Sequence, residues 1–168
     1  VGDIATYRGR GDSTVALLSV SLQTRHFGFQ KEGEFFLARY RATWTAAPSP
    51  SVGGPPLSSS QEQVVRVNGF AETQRNDESV LYQDGLILSP GEWKVSVQIA
   101  DELSGRKGRA EGQIRVPAYG DGSVSAPRLV YQARGRGTRA DPVAVIVNPR
   151  GSSAYGSDSL TVYLEGYA

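Results

Sequence analysis

The sequence predicts an all-β protein, two packed antiparallel sheets of about seven to nine strands joined by long loops. Three observations carry that expectation. Apolar and polar residues alternate with a period of two over most of the apolar stretches, no stretch sustains a helical period, and 20 glycines and 9 prolines punctuate the 168 residues. The clearest stretch is Leu88 to Val116. Trp93, Val95, Val97 and Ile99 alternate with Glu92, Lys94, Ser96 and Gln98, then Ala110, Gly112, Ile114 and Val116 with Arg109, Glu111, Gln113 and Arg115. This is a hairpin with one face expected inward. Ser104-Gly105 supplies its turn, and Pro90-Gly91 a tight turn before it, with glycine where φ is positive.

In chain order, residues 1–14 read as an extended lead-in with Gly2, Gly9, Gly11 and several charges. Val15 to Leu22 forms a strand with Leu18, Val20 and Leu22 on one face. Glu34 to Thr45 forms another, with Phe36, Ala38, Tyr40, Ala42 and Trp44 facing inward. Residues 46–60, rich in proline, glycine and serine, read as a long surface loop. Strands resume over Gln61 to Phe70 and Ser79 to Leu88, with Asn76-Asp77 turning the chain between them. After the hairpin, Pro117 to Pro127 connects to a short strand, Arg128 to Gln132, in which Leu129 and Tyr131 oppose Val130. Val143 to Val147 and Ser159 to Leu164 are the last two strands, on either side of a turn-rich segment. Trp44 and Trp93 are expected in or beside the core. The organisation is a single domain, 1–168.

Composition narrows the chemistry. Eighteen Lys and Arg against 17 Asp and Glu leave a net charge of +1, with no general attraction for nucleic acid or membrane surfaces. No cysteine or methionine occurs, which removes disulfides, thiolate metal sites and thiol catalysis. The apolar runs fall far short of the roughly 20 residues of a membrane helix. Since the chain starts on valine, an exported and processed protein, extracytoplasmic and periplasmic, is the expectation.

No catalytic constellation emerges. His26, the single histidine, lies beside Phe27 and Phe29 and lacks partners for acid–base work. No Gly-x-Ser-x-Gly elbow surrounds a serine. Asp101 and Glu102 are neighbours at a turn, where their side chains diverge, and Asp121 stands alone between glycines. Arg10-Gly11-Asp12 matches an integrin-binding tripeptide, but three residues are too short a pattern to outweigh a solvated turn. The expectation is no enzyme, no cofactor and no metal. Arg134, Arg136 and Arg139, spaced by glycines beside Asp141, are the candidate partner-binding residues, on a basic loop without interleaved aromatics to stack bases.

Leu88-Ser89-Pro90-Gly91-Glu92-Trp93, Asp101 and Ser104, Arg115-Val116-Pro117, Asn148-Pro149, Tyr155 and the run Val162 to Tyr167 together resemble the amino-terminal sandwich of GWxTD-domain bacterial proteins. The resemblance spans most of the chain and implies an immunoglobulin- or fibronectin-like sandwich in an exported bacterial protein. No Gly-Trp-x-Thr-Asp pentapeptide occurs here, so no functional residue carries over. The expected function is a non-catalytic interaction or scaffold subunit that docks on and stabilises a larger, membrane-attached envelope complex. Its contacts would use residues 1–14, 46–60 and 134–139. In its most specific form it is an extrinsic periplasmic subunit of a bacterial photosynthetic reaction-centre complex, an expectation resting on where such domains are common and on no residue. The alternative is a carbohydrate-binding sandwich using Tyr119 or Tyr155.

Overall fold

Alternation of buried and exposed side chains produces eleven strands among the described residues of the computed structural model, which describes 1–75, 79–138, 140–151 and 159–168. They are β1 Gly2–Arg8, β2 Thr14–Gln23, β3 Gln30–Glu32, β4 Phe35–Pro48, β5 Leu57–Val67, β6 Ser79–Leu88, β7 Gly91–Asp101, β8 Lys107–Val116, β9 Arg128–Arg134, β10 Ala144–Val147 and β11 Thr161–Tyr163. A 3-10 turn at Thr24–His26 and one helical turn, α1 at Phe70–Thr73, are the only helical elements described. All pairings are antiparallel.

Seven long strands build the expected sandwich. One sheet runs β1-β2-β6 and the other β5-β4-β7-β8, with the short β3 on the free end of β4. This three-plus-four division of seven strands is the size of an immunoglobulin-like sandwich. Ala16, Leu18, Val20, Tyr82 and Leu88 from the first sheet meet Ala38, Tyr40, Ala42, Trp44, Trp93 and Val95 from the second. Both tryptophans are buried there, Trp93 donating its indole N–H to Ser89 O at 2.9 Å. The strand count exceeds seven to nine because β1 and β3 were not expected, and the last three strands, β9, β10 and β11, form a third sheet, ordered β10-β9-β11, where two sheets were expected. That sheet packs on the outer face of β1-β2, where Ala5, Tyr7 and Leu17 meet Val130, Val145 and Val147 in a second core. Gln83 on β6 fastens the layers: its side-chain N–H donates to Val145 O at 2.6 Å, and its carbonyl accepts from Val147 N at 2.9 Å and Ser19 Oγ at 2.9 Å.

Two segments expected to be irregular are strands. The lead-in 1–14 contains β1, paired with β2 from Gly2↔Val20 to Arg8↔Thr14, with Ala5 and Tyr7 fully buried. Its alternation was hidden because β1 is covered on both faces, so Ile4, Ala5 and Tyr7 are all partly or wholly inside. The loop 46–60 shrinks to residues 49–56. β4 runs on to Pro48 and β5 begins at Leu57, with Thr43↔Ser60, Trp44↔Ser59 and Thr45↔Ser58 in register. A serine-rich edge strand buries little, but cross-strand hydrogen bonds hold it. The turn glycines behave as expected. Gly91 has φ +132°, and a Cβ there would meet Val52 Cγ2 at 2.3 Å; Gly105 has φ +68°. Asn76-Asp77 and Ser152 to Asp158 lie outside the described residues.

Candidate functional site

The arginine loop after β9 folds back on itself. Asp141 Oδ2 accepts from Thr138 N at 2.8 Å, and Asp141 N donates to Thr138 O at 3.1 Å, closing the loop as a tight turn. Arg136 is not the solvated docking residue expected. Its side chain is 5% exposed and forms a bidentate pair with Glu165, itself 10% exposed. Arg136 Nε donates to Glu165 Oε1 at 2.8 Å, and Nη2 donates to Glu165 Oε2 and to Arg8 O, the latter at 2.9 Å. The carboxylate offsets the desolvation of the guanidinium. Arg134, at the end of β9, is exposed. Arg139 lies outside the described residues.

Three tyrosines complete this cluster. Tyr163 and Tyr167 donate to Glu165 Oε1 and Oε2 at 2.6 and 2.9 Å, and Arg8 N donates to Tyr167 Oη at 2.9 Å. Tyr119 donates to Thr6 O at 3.0 Å and packs on Tyr167 with ring centroids 5.0 Å apart. Burial pushes the Glu165 carboxyl up, but hydrogen bonds from Arg136, Tyr163 and Tyr167 outweigh it and hold the group below its ordinary 4.5. Burial and then the Glu165 carboxylate raise Tyr163. Beside the cluster is a polar hollow of about 700 Å³ that Arg8, Asp121 and Gly137 help to line. Its charged walls are already paired, Arg8 to Asp121 at 2.8 Å and Arg136 to Glu165. The arrangement clasps the chain's last residues to β1.

The other residues singled out in the sequence are dispersed. His26 is exposed and shares a hydrogen bond with Gln23 Oε1 at 3.1 Å. Arg10-Gly11-Asp12 forms the exposed β1–β2 turn, where Gly11 has φ +58° and Arg10 donates to Ala140 O at 3.2 Å. Asp101 is buried and accepts from Gly28 N at 2.8 Å and from Ser104 Oγ, whereas Glu102 points to solvent. Tyr119 is committed to Thr6 and Tyr167, and Tyr155 lies outside the described residues. No group of three or more acidic or histidine side chains able to hold a metal occurs among the described residues.

One concavity was not legible in the sequence. Sheet β5-β4-β7-β8 is wider than the three-stranded sheet facing it, so the sandwich gapes between its edge strands β1 and β8. The gap is an apolar groove of about 450 Å³, with Leu18 and Val20 of β2, Val95 and Val97 of β7, and Ala110 and Ile114 of β8 among its lining. The inward face of β8 was expected to be dry throughout, but only Val116 is buried; Ala110 and Gly112 are exposed and Ile114 half-buried. Nothing within 4 Å would meet a Cβ on Gly108, and only Val95 Cγ2, at 4.0 Å, would meet one on Gly112. Trp44 also lines the groove, and its buried indole N–H finds no acceptor among the described residues. The signal available in the sequence was the small-residue series Gly108, Ala110, Gly112 at inward positions.

No protein-family model, curated protein or solved structure matches this chain.

Proposed function

We propose that this protein is a non-catalytic interaction module that docks on a larger, membrane-attached protein complex outside the cytoplasm and stabilises it. The observation that carries the reading is the open edge of the sandwich. Among the described residues β8 pairs only with β7, and it borders an apolar groove, the kind of edge that pairs with another chain. The titratable groups drawn together beside the carboxy-terminal sheet support it in a second way. Arg136, Glu165, Tyr163 and Tyr167 are engaged with one another in a closed network that holds the carboxy-terminal sheet in place. No helix among the described residues is long and apolar enough to cross a membrane.

The most specific form, an extrinsic periplasmic subunit of a bacterial photosynthetic reaction-centre complex, rests on where such domains are common and on no residue of this chain. Mild detergent extraction of the native protein, followed by sizing and identification of what co-elutes, tests both levels. Co-elution with a larger complex is expected, carrying pigment absorbance if the specific form holds. A free monomer at every ionic strength would end the interaction reading.

A further inference from the structure

Resting on that interaction reading, we infer that β8 is an acceptor edge for β-strand addition, and that its occupant is an extended polypeptide segment alternating apolar and acidic side chains. Three features of the edge define this occupant. Its backbone pairs with β7 on one side only, so the other side offers a ladder's worth of hydrogen-bonding groups to an incoming strand. The inward positions of β8 are Gly108, Ala110 and Gly112, which leave space beside Val95 and Val97 instead of filling it. A strand laid against β8 would drop every second side chain into that space, because side chains alternate across a strand.

Charge selects the outward residues of the occupant. Along the outer face of β7 and β8 stand Lys94, Lys107, Arg109 and Arg115 against Glu92 and Glu111, four cations to two carboxylates. Lys94 and Arg109 both lean on the single Glu111, at 3.2 and 2.7 Å, and Arg115 reaches Glu92 at 3.7 Å. Lys107 enters none of the ion pairs formed by the described residues. A strand added to β8 sets its outward side chains directly across from Lys107, Arg109, Glu111 and Arg115, where opposite charges attract and like charges repel. Acidic residues at alternate positions complement the strip. A second copy of this chain would instead bring the same net-positive strip to the contact. The groove has room for apolar side chains, since Gly2, Ala110 and Gly112 stand in its lining and a Cβ on Gly112 would meet only Val95 Cγ2, at 4.0 Å.

The test uses the purified chain and a blocked octapeptide alternating valine and glutamate, read by hydrogen exchange at the β8 amides and by fluorescence of Trp44 at the groove. Saturable binding with new protection along β8 is expected, weakened about tenfold or more when lysine replaces glutamate in the peptide. Gly112→Leu, which fills the groove from within, should abolish binding. The double variant Lys107→Glu, Arg109→Glu changes only exposed side chains and should invert the preference between the two peptides. Equal binding of both peptides, protection at β1 instead of β8, or a dimer that Gly112→Leu dissociates would each overturn the proposal. If the octapeptide leaves β8 unchanged while the native chain still co-elutes with a larger complex, the acceptor-edge proposal falls and the interaction reading stands. If neither occurs, both fall.

Discussion

Arg136 and Glu165 form the most buried ion pair among the described residues, and the pair explains more than its own geometry. Replacing Glu165 by glutamine keeps the shape but leaves a guanidinium that is 5% exposed without its counter-charge. The expected loss is on the order of 3 kcal/mol, measured by urea unfolding, because an uncompensated buried charge costs more than the pair contributes. The same carboxylate gives the wild type an acid limb. Its pKa is depressed in the folded state, so its contribution is fully present above the unfolded value near 4.5 and is lost as pH falls through the lower folded value. Stability of the wild type should therefore decline below about pH 4.5 more steeply than that of Glu165→Gln. Tyrosines set the alkaline limb with the opposite sign. Burial pushes Tyr7, helped by Glu165, and Tyr40 up to about 12 from 10.0, so their neutral forms favour the fold until pH rises through the folded values. Tyrosinate absorbance should show most of the eight tyrosines ionising late and together with unfolding. Titration of all of them near 10, with native circular dichroism retained, would contradict the burial.

At the scale of elements, the β7–β8 hairpin is held at its two ends by different means. Gly105 turns it with φ +68° and donates to Asp101 O at 3.0 Å. Gly105→Ala has open space for its methyl but not for its backbone angle, and about 1 to 2 kcal/mol of stability should be lost in thermal unfolding. Trp93 anchors the other end, and Trp93→Ala should cost about 3 to 5 kcal/mol, since the side chain is buried between both sheets. Gly112→Leu works in the opposite direction. A side chain there meets no close neighbour and covers Val95, so the variant should be more stable by about 0.5 to 1 kcal/mol while losing the acceptor edge. A stabilised variant with lost binding would separate the two roles of that strand. The alternation in Trp93 to Ile99 was readable because β7 lies between two strands with one face buried, whereas β8 kept its alternation although little of it is covered.

The whole molecule is a three-layer stack, and its middle sheet depends on both neighbours. Ending the chain after Pro127 would remove the third sheet and uncover Ala5, Tyr7 and Leu17 on β1 and β2. The shortened chain should bind an apolar dye and self-associate on sizing, because contiguous apolar surface of that kind is rarely left open in a monomer. A well-behaved monomer of unchanged melting temperature would show that the third sheet is an appendage. The layers also explain why the structure of the candidate docking segments was hidden in the sequence. A glycine- and charge-bearing start, a serine-rich strand and a loop arginine have nothing local that marks them as buried or paired; β5 is held by its neighbour β4, while the second cover of β1 and the partner of Arg136 come from farther along the chain.

Strand identity was determined by the sequence wherever one face is buried and the other wet, as in Ala38 to Trp44 and Trp93 to Ile99, since a period of two is a local property of side chains. Turn glycines were determined with it, because positive φ at Gly91 and Gly105 is a demand of the backbone itself. Only the tertiary structure decided that Arg136 is a buried ion-pair partner, that β1 is a doubly covered strand and that the inward face of β8 stands open. Each of those depends on which sheet lies opposite, through contacts more than twenty residues apart, such as Arg136 with Glu165 or Tyr7 with Tyr163, and the burial of a face is set by its neighbour and not by its own sequence.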